Sequence, residues 1–402
     1  MKKYLTLIAA ALLIVGCQSD EVANNGYQDG AILFDVDESS LTRAPGEMTL
    51  DGAGSTLKLQ DAGFGVFGLY TGRLMYNLVT VTPDFMFNQK VEWNVTNTVW
   101  NYSPVKYWPN GSIEGAEYEY VSFFAYAPYV NHTALGAEGI IGMSLKDDKG
   151  DPWLAYKLAE KPWGDLSDPT APKQVDLLFG TKKDGTDYKP MLDQHKNDYA
   201  SATKMTFWFK HALACIGDEI TIAMSTDLYD KINGYATVTL NKVELQFKNL
   251  TTKARLVLNS ADGTANWKEI ISGELLTNRT LKLVQTPDPS KPEEQAATLA
   301  LPYTFTGTTV ETLSEGLGLF YIPLQIAGQE KATCEVTAYY TVENNAHETY
   351  DGTASSTFDL DLNLEGQKQG IALTLGKDFD LAHLVYSLGG GTGSGPSYSP
   401  KR

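Results

Sequence analysis

A chain of 402 residues with 43% hydrophobic and 20% charged side chains has the composition of a packed globular protein, and at about 150 residues per domain two or three domains are expected. Its 49 acidic residues against 32 Lys and Arg leave a net charge of -17, which offers nothing to neutralise phosphates and excludes nucleic acid as a partner. The same acidity fits solubility and mutual repulsion in an exported protein.

The N-terminus reads Lys2-Lys3, then a mostly apolar run from Leu5 to Val15, then small Gly16 and Cys17. A basic pair, a short apolar run and a small residue before a cysteine form a bacterial lipoprotein signal, and the run is shorter than the roughly 20 residues of a spanning helix. The Gly16–Cys17 bond is the expected signal peptidase site and Cys17 the expected lipidation site. Acyl chains contribute about 0.8 kcal/mol per buried CH₂, so several of them anchor the mature protein on a membrane without spanning it. Asp20 and Glu21 follow closely, and in lipoproteins of Bacteroidota such acidic residues resemble a signal for transfer to the cell surface.

Beyond the leader, most periodic segments repeat every second residue. Ile32, Phe34 and Val36 share one parity; Val121, Phe123, Ala125 and Ala127 share another; Phe358, Leu360, Leu362 and Leu364 alternate with Asp359, Asp361 and Asn363. This is the pattern of half-buried strands with one apolar and one wet face. Turn-formers such as Pro109-Asn110-Gly111, Asp262-Gly263 and Asp351-Gly352 separate them. Between Leu240 and Val243 the apolar parity switches, which predicts a bulge or tight turn at Asn241-Lys242. Helical periodicity is nearly absent outside the signal peptide, so the fold class is all-β, with packed antiparallel sheets. A domain break is expected in the polar stretch 182–202, and a flexible Gly- and Ser-rich tail from Gly389.

Chemical motifs are missing. The five histidines, His132, His195, His211, His347 and His383, form no metal-binding pair, and there is no nucleophile elbow, phosphate loop or dinucleotide fingerprint. No enzyme activity, cofactor or metal is expected. His211 alternates with Phe207, Phe209 and Leu213, which predicts a hydrogen-bonded core histidine. Cys215 and Cys334 lie on inward parities and outside any C-x-x-C spacing. An exported location permits a disulfide between them as well as two buried thiols. The aromatic run Trp93, Trp100, Tyr102, Tyr107 and Trp108 reads as core filling, the other reading being a platform for stacking sugars.

Several segments together resemble the fimbrillins, the type V pilins of Bacteroidota. They are Ile32-Leu33-Phe34-Asp35 followed by Thr42-Arg43-Ala44, Phe64-Gly65-Val66-Phe67, Tyr107-Trp108-Pro109, Val121 to Pro128, Asp176-Leu177-Leu178 and Phe209-Lys210-His211-Ala212-Leu213-Ala214. The resemblance implies two transthyretin-like β-sandwich domains of Ig-like Greek-key type, at 44–200 and 201–385, after a signal peptide at 1–16 and a lipidated leader at 17–43, with a tail at 386–402. It implies an outer-membrane, surface-exposed lipoprotein that is cut after Arg43, before Ala44, loses its first strand and joins other pilin subunits in a fimbrium by donor-strand exchange. Such a protein is a structural subunit or an accessory adhesin, with host or bacterial surface ligands or glycans as further partners. The other function class that fits these residues is a cell-surface glycan-binding lipoprotein.

Overall fold

The computed structural model describes residues 30–37, 58–77, 80–109, 119–161, 174–199, 203–270, 275–361 and 368–388. The signal peptide, Gly16, Cys17, Arg43, Ala44, Leu362, Leu364 and the tail from Gly389 lie outside them.

Among the described residues almost all regular structure is strand. The first eleven strands are β1 (Phe34–Asp37), β2 (Phe64–Gly72), β3 (Met86–Asn94), β4 (Val99–Asn101), β5 (Tyr120–Ala127), β6 (Gly139–Met143), β7 (Trp153–Lys157), β8 (Leu178–Asp184), β9 (Asp187–Lys189), β10 (Met191–Gln194) and β11 (Met205–His211). Next come β12 (Ala214–Met224), β13 (Ala236–Thr251), β14 (Lys253–Val257), β15 (Asn266–Lys268), β16 (Leu275–Val284), β17 (Glu294–Ala296) and β18 (Tyr303–Thr304). The last six are β19 (Glu311–Glu315), β20 (Leu319–Tyr321), β21 (Thr333–Asn344), β22 (Thr349–Asp359), β23 (Lys368–Leu375) and β24 (Leu381–Leu388). Two short helices, α1 (Leu59–Ala62) and α2 (Thr226–Ile232), join them; Ser225 caps α2 by accepting from the Leu228 N–H at 3.2 Å.

Four sheets result. The largest runs β1-β11-β8-β5-β2-β3-β4, with β10 beside β5 and β9 beside β8, and a four-stranded sheet runs β15-β14-β7-β6. The second half holds a five-stranded sheet, β19-β12-β23-β24 with β20 beside β12, and a six-stranded sheet, β17-β16-β13-β21-β22 with β18 beside β13. One apolar cluster fills the space between these last two sheets, where Ile220, Ile222 and Leu373 meet Leu245, Phe247 and Val336. A second lies between the largest sheet and the four-stranded one, and a third fills the other face of the largest sheet.

This layering corrects the half-buried reading of the strand at Val121. Phe124 and Tyr126 of β5 enter the second cluster, while Val121, Phe123, Ala125 and Ala127 enter the third, so both faces are dry. The parity switch after Leu240 is a bulge: Leu240 faces Tyr340 and Lys242 faces Tyr339, leaving Asn241 as the extra residue. At the C-terminal end of β22, Phe358 is half-buried and Leu360 follows the strand in the core.

Strand pairing crosses the position expected to divide the chain. Met205–His211 belongs to the first sheet, and the chain then steps through Ala212-Leu213 directly into β12 of the second half. After β13 it returns, and β14 and β15 complete the four-stranded sheet of the first half. Side chains lock this crossing. Gln174 reads the Phe320 backbone twice, donating to its carbonyl at 2.7 Å and accepting from its N–H at 2.9 Å, and Trp267 Nε1 donates to Ala212 O at 2.9 Å. His211 Nδ1 meets Asp176 Oδ2, both side chains being buried, and the other Asp176 oxygen accepts from the Leu177 N–H.

Removing one partner of a buried polar pair leaves the other uncompensated, at about 3–5 kcal/mol. Asp176→Ala and His211→Gln are each expected to destabilise the chain on that scale in urea unfolding. The double variant should cost clearly less than the sum, because the two lose one shared interaction.

Candidate assembly interface

The first described strand sits at the edge of the largest sheet. β1 runs parallel to β11, with Phe34 facing Met205 and Val36 facing Phe207. Just before it, the Met205 N–H donates to Leu33 O at 2.8 Å. The sheet curls so that the segment also meets the chain beyond β4: the Ile32 N–H donates to Lys106 O at 2.8 Å and the Trp108 N–H to Gly30 O at 2.7 Å. Residues 30–37 thus hydrogen-bond to β11 on one side and to residues 106–108 on the other.

Alternation along this short strand decides what it buries. Ile32 and Phe34 are 0% and 1% exposed, and Val36 packs against the same cluster. Phe34 stacks on Phe207 at 5.6 Å and meets Phe123 edge-on at 5.7 Å and Tyr102 at 5.4 Å. Such aromatic contacts add about 0.5–1.5 kcal/mol each beyond burial, and burying an Ile or Phe side chain contributes about 1.5–3 kcal/mol. The Tyr102 hydroxyl donates to Ile32 O at 2.8 Å, and burial drives its pKa well above the usual phenol range. On the wet side Lys204 lies 3.6 Å from Asp35, a half-exposed pair that contributes little.

The aromatic run beyond β3 forms the far wall of this cleft. Trp100 and Trp108 are buried, Trp100 packs on Phe64 and Trp93, and Trp108 packs on Phe123 and Tyr199. Tyr107 departs from the core reading, with 44% of its surface exposed. It bridges Ala31 through backbone instead.

β1 has a peripheral place in the topology. Its departure would break no ladder between other strands, yet it would uncover the β11 edge and a cleft lined by Tyr102, Phe123 and Phe207. An unpaired edge beside a dry apolar cleft accepts another extended strand with apolar residues at alternate positions.

No family model matches the chain. The fimbrium subunit Fim1C of Phocaeicola vulgatus strain ATCC 8482 is 27% identical over 264 residues, an alignment that covers 63% of this chain and 62% of that protein. The chain therefore aligns with less than two thirds of that relative's length. A crystal structure of a fimbrial protein from Bacteroides vulgatus ATCC 8482 superposes with a TM-score of 0.61 at 18% identity, over 90% of this chain and 99% of the other. That likeness is one of fold. The chain is thus similar in sequence to a fimbrium subunit and in fold to a fimbrial protein.

The segments quoted for the resemblance converge on two places. Ile32 to Asp35, Val121 to Pro128 and Phe209 contribute to the cluster under β1, while Asp176, His211 and Ala212 form the crossing between halves. The partners of the leader strand were not legible beforehand, because a parallel pairing of Phe34 with Met205 spans most of the first half and leaves no local signal. Cys215 and Cys334 are buried in different apolar clusters and are not joined to each other. Burial raises the Cys334 thiol well above its ordinary pKa. Among the described residues no group of His, Cys, Asp or Glu could hold a metal ion, and no helix is long and apolar enough to cross a membrane.

Phe34→Ala is expected to cost about 3–5 kcal/mol, since it empties a fully enclosed aromatic site. Tyr102→Phe should cost about 1–3 kcal/mol by removing two hydrogen bonds, to Ile32 O and from the Lys106 N–H, while leaving the ring in place. Denaturant titrations followed by intrinsic fluorescence check both, and the two should reduce stability in that order.

Proposed function

We propose that the chain is the precursor of a fimbrium subunit or accessory adhesin, which joins other subunits by exchanging its own leader strand for a strand from another copy. In this reading Cys17 is lipidated after the Gly16–Cys17 bond is cut, and the anchor holds the precursor on the outer membrane, facing the surface. Cleavage between Arg43 and Ala44 then separates β1 from the rest of the chain. The observation that carries the reading is Phe34, a residue of the leader side of that bond, enclosed by Tyr102, Phe123 and Phe207 in the body of the protein. A strand needed only as a tether has no reason to supply the sheet with an edge strand and the core with two fully buried side chains.

The likeness to a fimbrium subunit and to a fimbrial fold supports the same reading. Before cleavage the leader fills the cleft in cis, where its local concentration is high, so the precursor stays monomeric. After cleavage the leader is held only by the contacts of a short strand, and a better-matched strand can displace it.

Limited trypsin digestion of the folded chain tests this. The Arg43–Ala44 bond should be cut ahead of bonds within the sheets, Arg43→Ala should abolish that first cut, and the cut protein should self-associate by light scattering. An added peptide spanning residues 31–37 should suppress the association, and the same peptide with Phe34→Asp should not. A cut, folded protein that stays monomeric and binds no strand peptide would overturn the proposal.

A further inference from the structure

The outer face of the four-stranded sheet gathers positive charge on this acidic molecule. In β7 and β14, Leu154, Tyr156, Ala254 and Leu256 point to the core, so Trp153, Ala155, Lys157, Lys253, Arg255 and Val257 lie on the outer face. Lys253 stands opposite Lys157, and Lys268 of β15 stands opposite Arg255. Four cations thus share one small face in a chain of net charge -17. Lys157 has Glu160 at 3.6 Å, whereas among the described residues no carboxylate pairs with Lys253, Arg255 or Lys268. The Arg255 guanidinium lies 4.2 Å over the Trp153 ring, and its buried Nε has no hydrogen-bond partner. Beside these groups Gly142 faces Ala155 and Gly139 faces Lys157, which leaves a low floor across β6 and β7.

We propose that this face binds an acidic polysaccharide, with the carboxylate or sulfate groups of the glycan meeting Lys253, Arg255 and Lys268 and its rings lying along the floor edged by Trp153. A planar guanidinium fixed on an indole ring presents its fork to a carboxylate with little ordering left to do. Neighbouring strands lie about 4.8 Å apart, so cations on adjacent strands can meet successive anionic groups of an extended chain. The net negative charge does not prevent this, because at physiological salt charges beyond about 8 Å are screened and the local patch prevails. A second copy of this acidic chain is the competing partner. Protein interfaces are depleted in Lys and built on apolar cores, however, and this face is mostly Lys, Gly and Ala.

The site goes beyond subunit assembly and is separable from it, since the four-stranded sheet packs on the face of the largest sheet opposite the leader cleft. The test passes the full chain over immobilised polygalacturonate and immobilised dextran at matched salt. Wild type should be retained on polygalacturonate alone, and less strongly as salt rises from about 0.05 M to about 0.5 M. The variant Lys253→Glu/Arg255→Glu/Lys268→Glu should lose about tenfold or more in retention, and Trp153→Ala should weaken it further than any change in melting temperature explains. The milder pair Lys253→Gln/Lys268→Gln serves if the triple variant does not fold, and it should also lose retention. Equal retention on dextran, undiminished retention of the folded variants, or no retention of wild type would overturn the proposal. So would a variant whose loss is confined to self-association in sedimentation, which would assign the face to a second copy.

Discussion

The edge of β11 and the aromatic cleft beside it organise the first half of the molecule. A strand edge carries unpaired N–H and carbonyl groups, and Phe123 and Phe207 line apolar space that water does not stabilise. One short segment satisfies both at once, because its backbone pairs with β11 while Ile32 and Phe34 fill the space. Satisfaction of a shared need by a segment that any other ladder can spare is what makes strand replacement chemically reasonable here.

The second half is built differently. Its apolar cluster lies between two sheets whose strands, β13, β21 and β22 in one and β12, β23 and β24 in the other, pair over long registers. It owes nothing to the leader. The two halves are nonetheless tied by the chain's return through β14 and β15, by Gln174 on the Phe320 backbone and by the Asp176–His211 pair. A change at the leader cleft therefore opens one face of one sheet while the junction and the second half keep their packing.

How much of this was readable from residues alone depended on whether the signal was local. Alternation at Ile32, Phe34 and Val36 marked a strand, and the parity switch at Asn241 marked a bulge, because both are properties of a few consecutive residues. The same alternation misjudged Val121 to Ala127. Phe124 and Tyr126 are as apolar as their neighbours, and only the presence of a second sheet shows that both faces are buried. His211 was recognisable as a core residue, whereas its pairing with Asp176, 35 positions away, left no local signal. The basic face on the four-stranded sheet was invisible, since Lys157 comes from one stretch of the chain and Lys253, Arg255 and Lys268 from another.

On the proposed reading β1 is, among the described residues, the segment that covers the β11 edge and the cleft, and its loss leaves the remaining fold standing. Amide hydrogen exchange measured before and after removal of residues 1–43 tests it most directly. Loss of β1 should give faster exchange across Met205–His211 and at Trp108, unchanged protection in β13 and β21, and restored protection when a strand peptide is added. Unchanged protection of Met205–His211 after the leader is gone, or loss of protection throughout both halves, would contradict it.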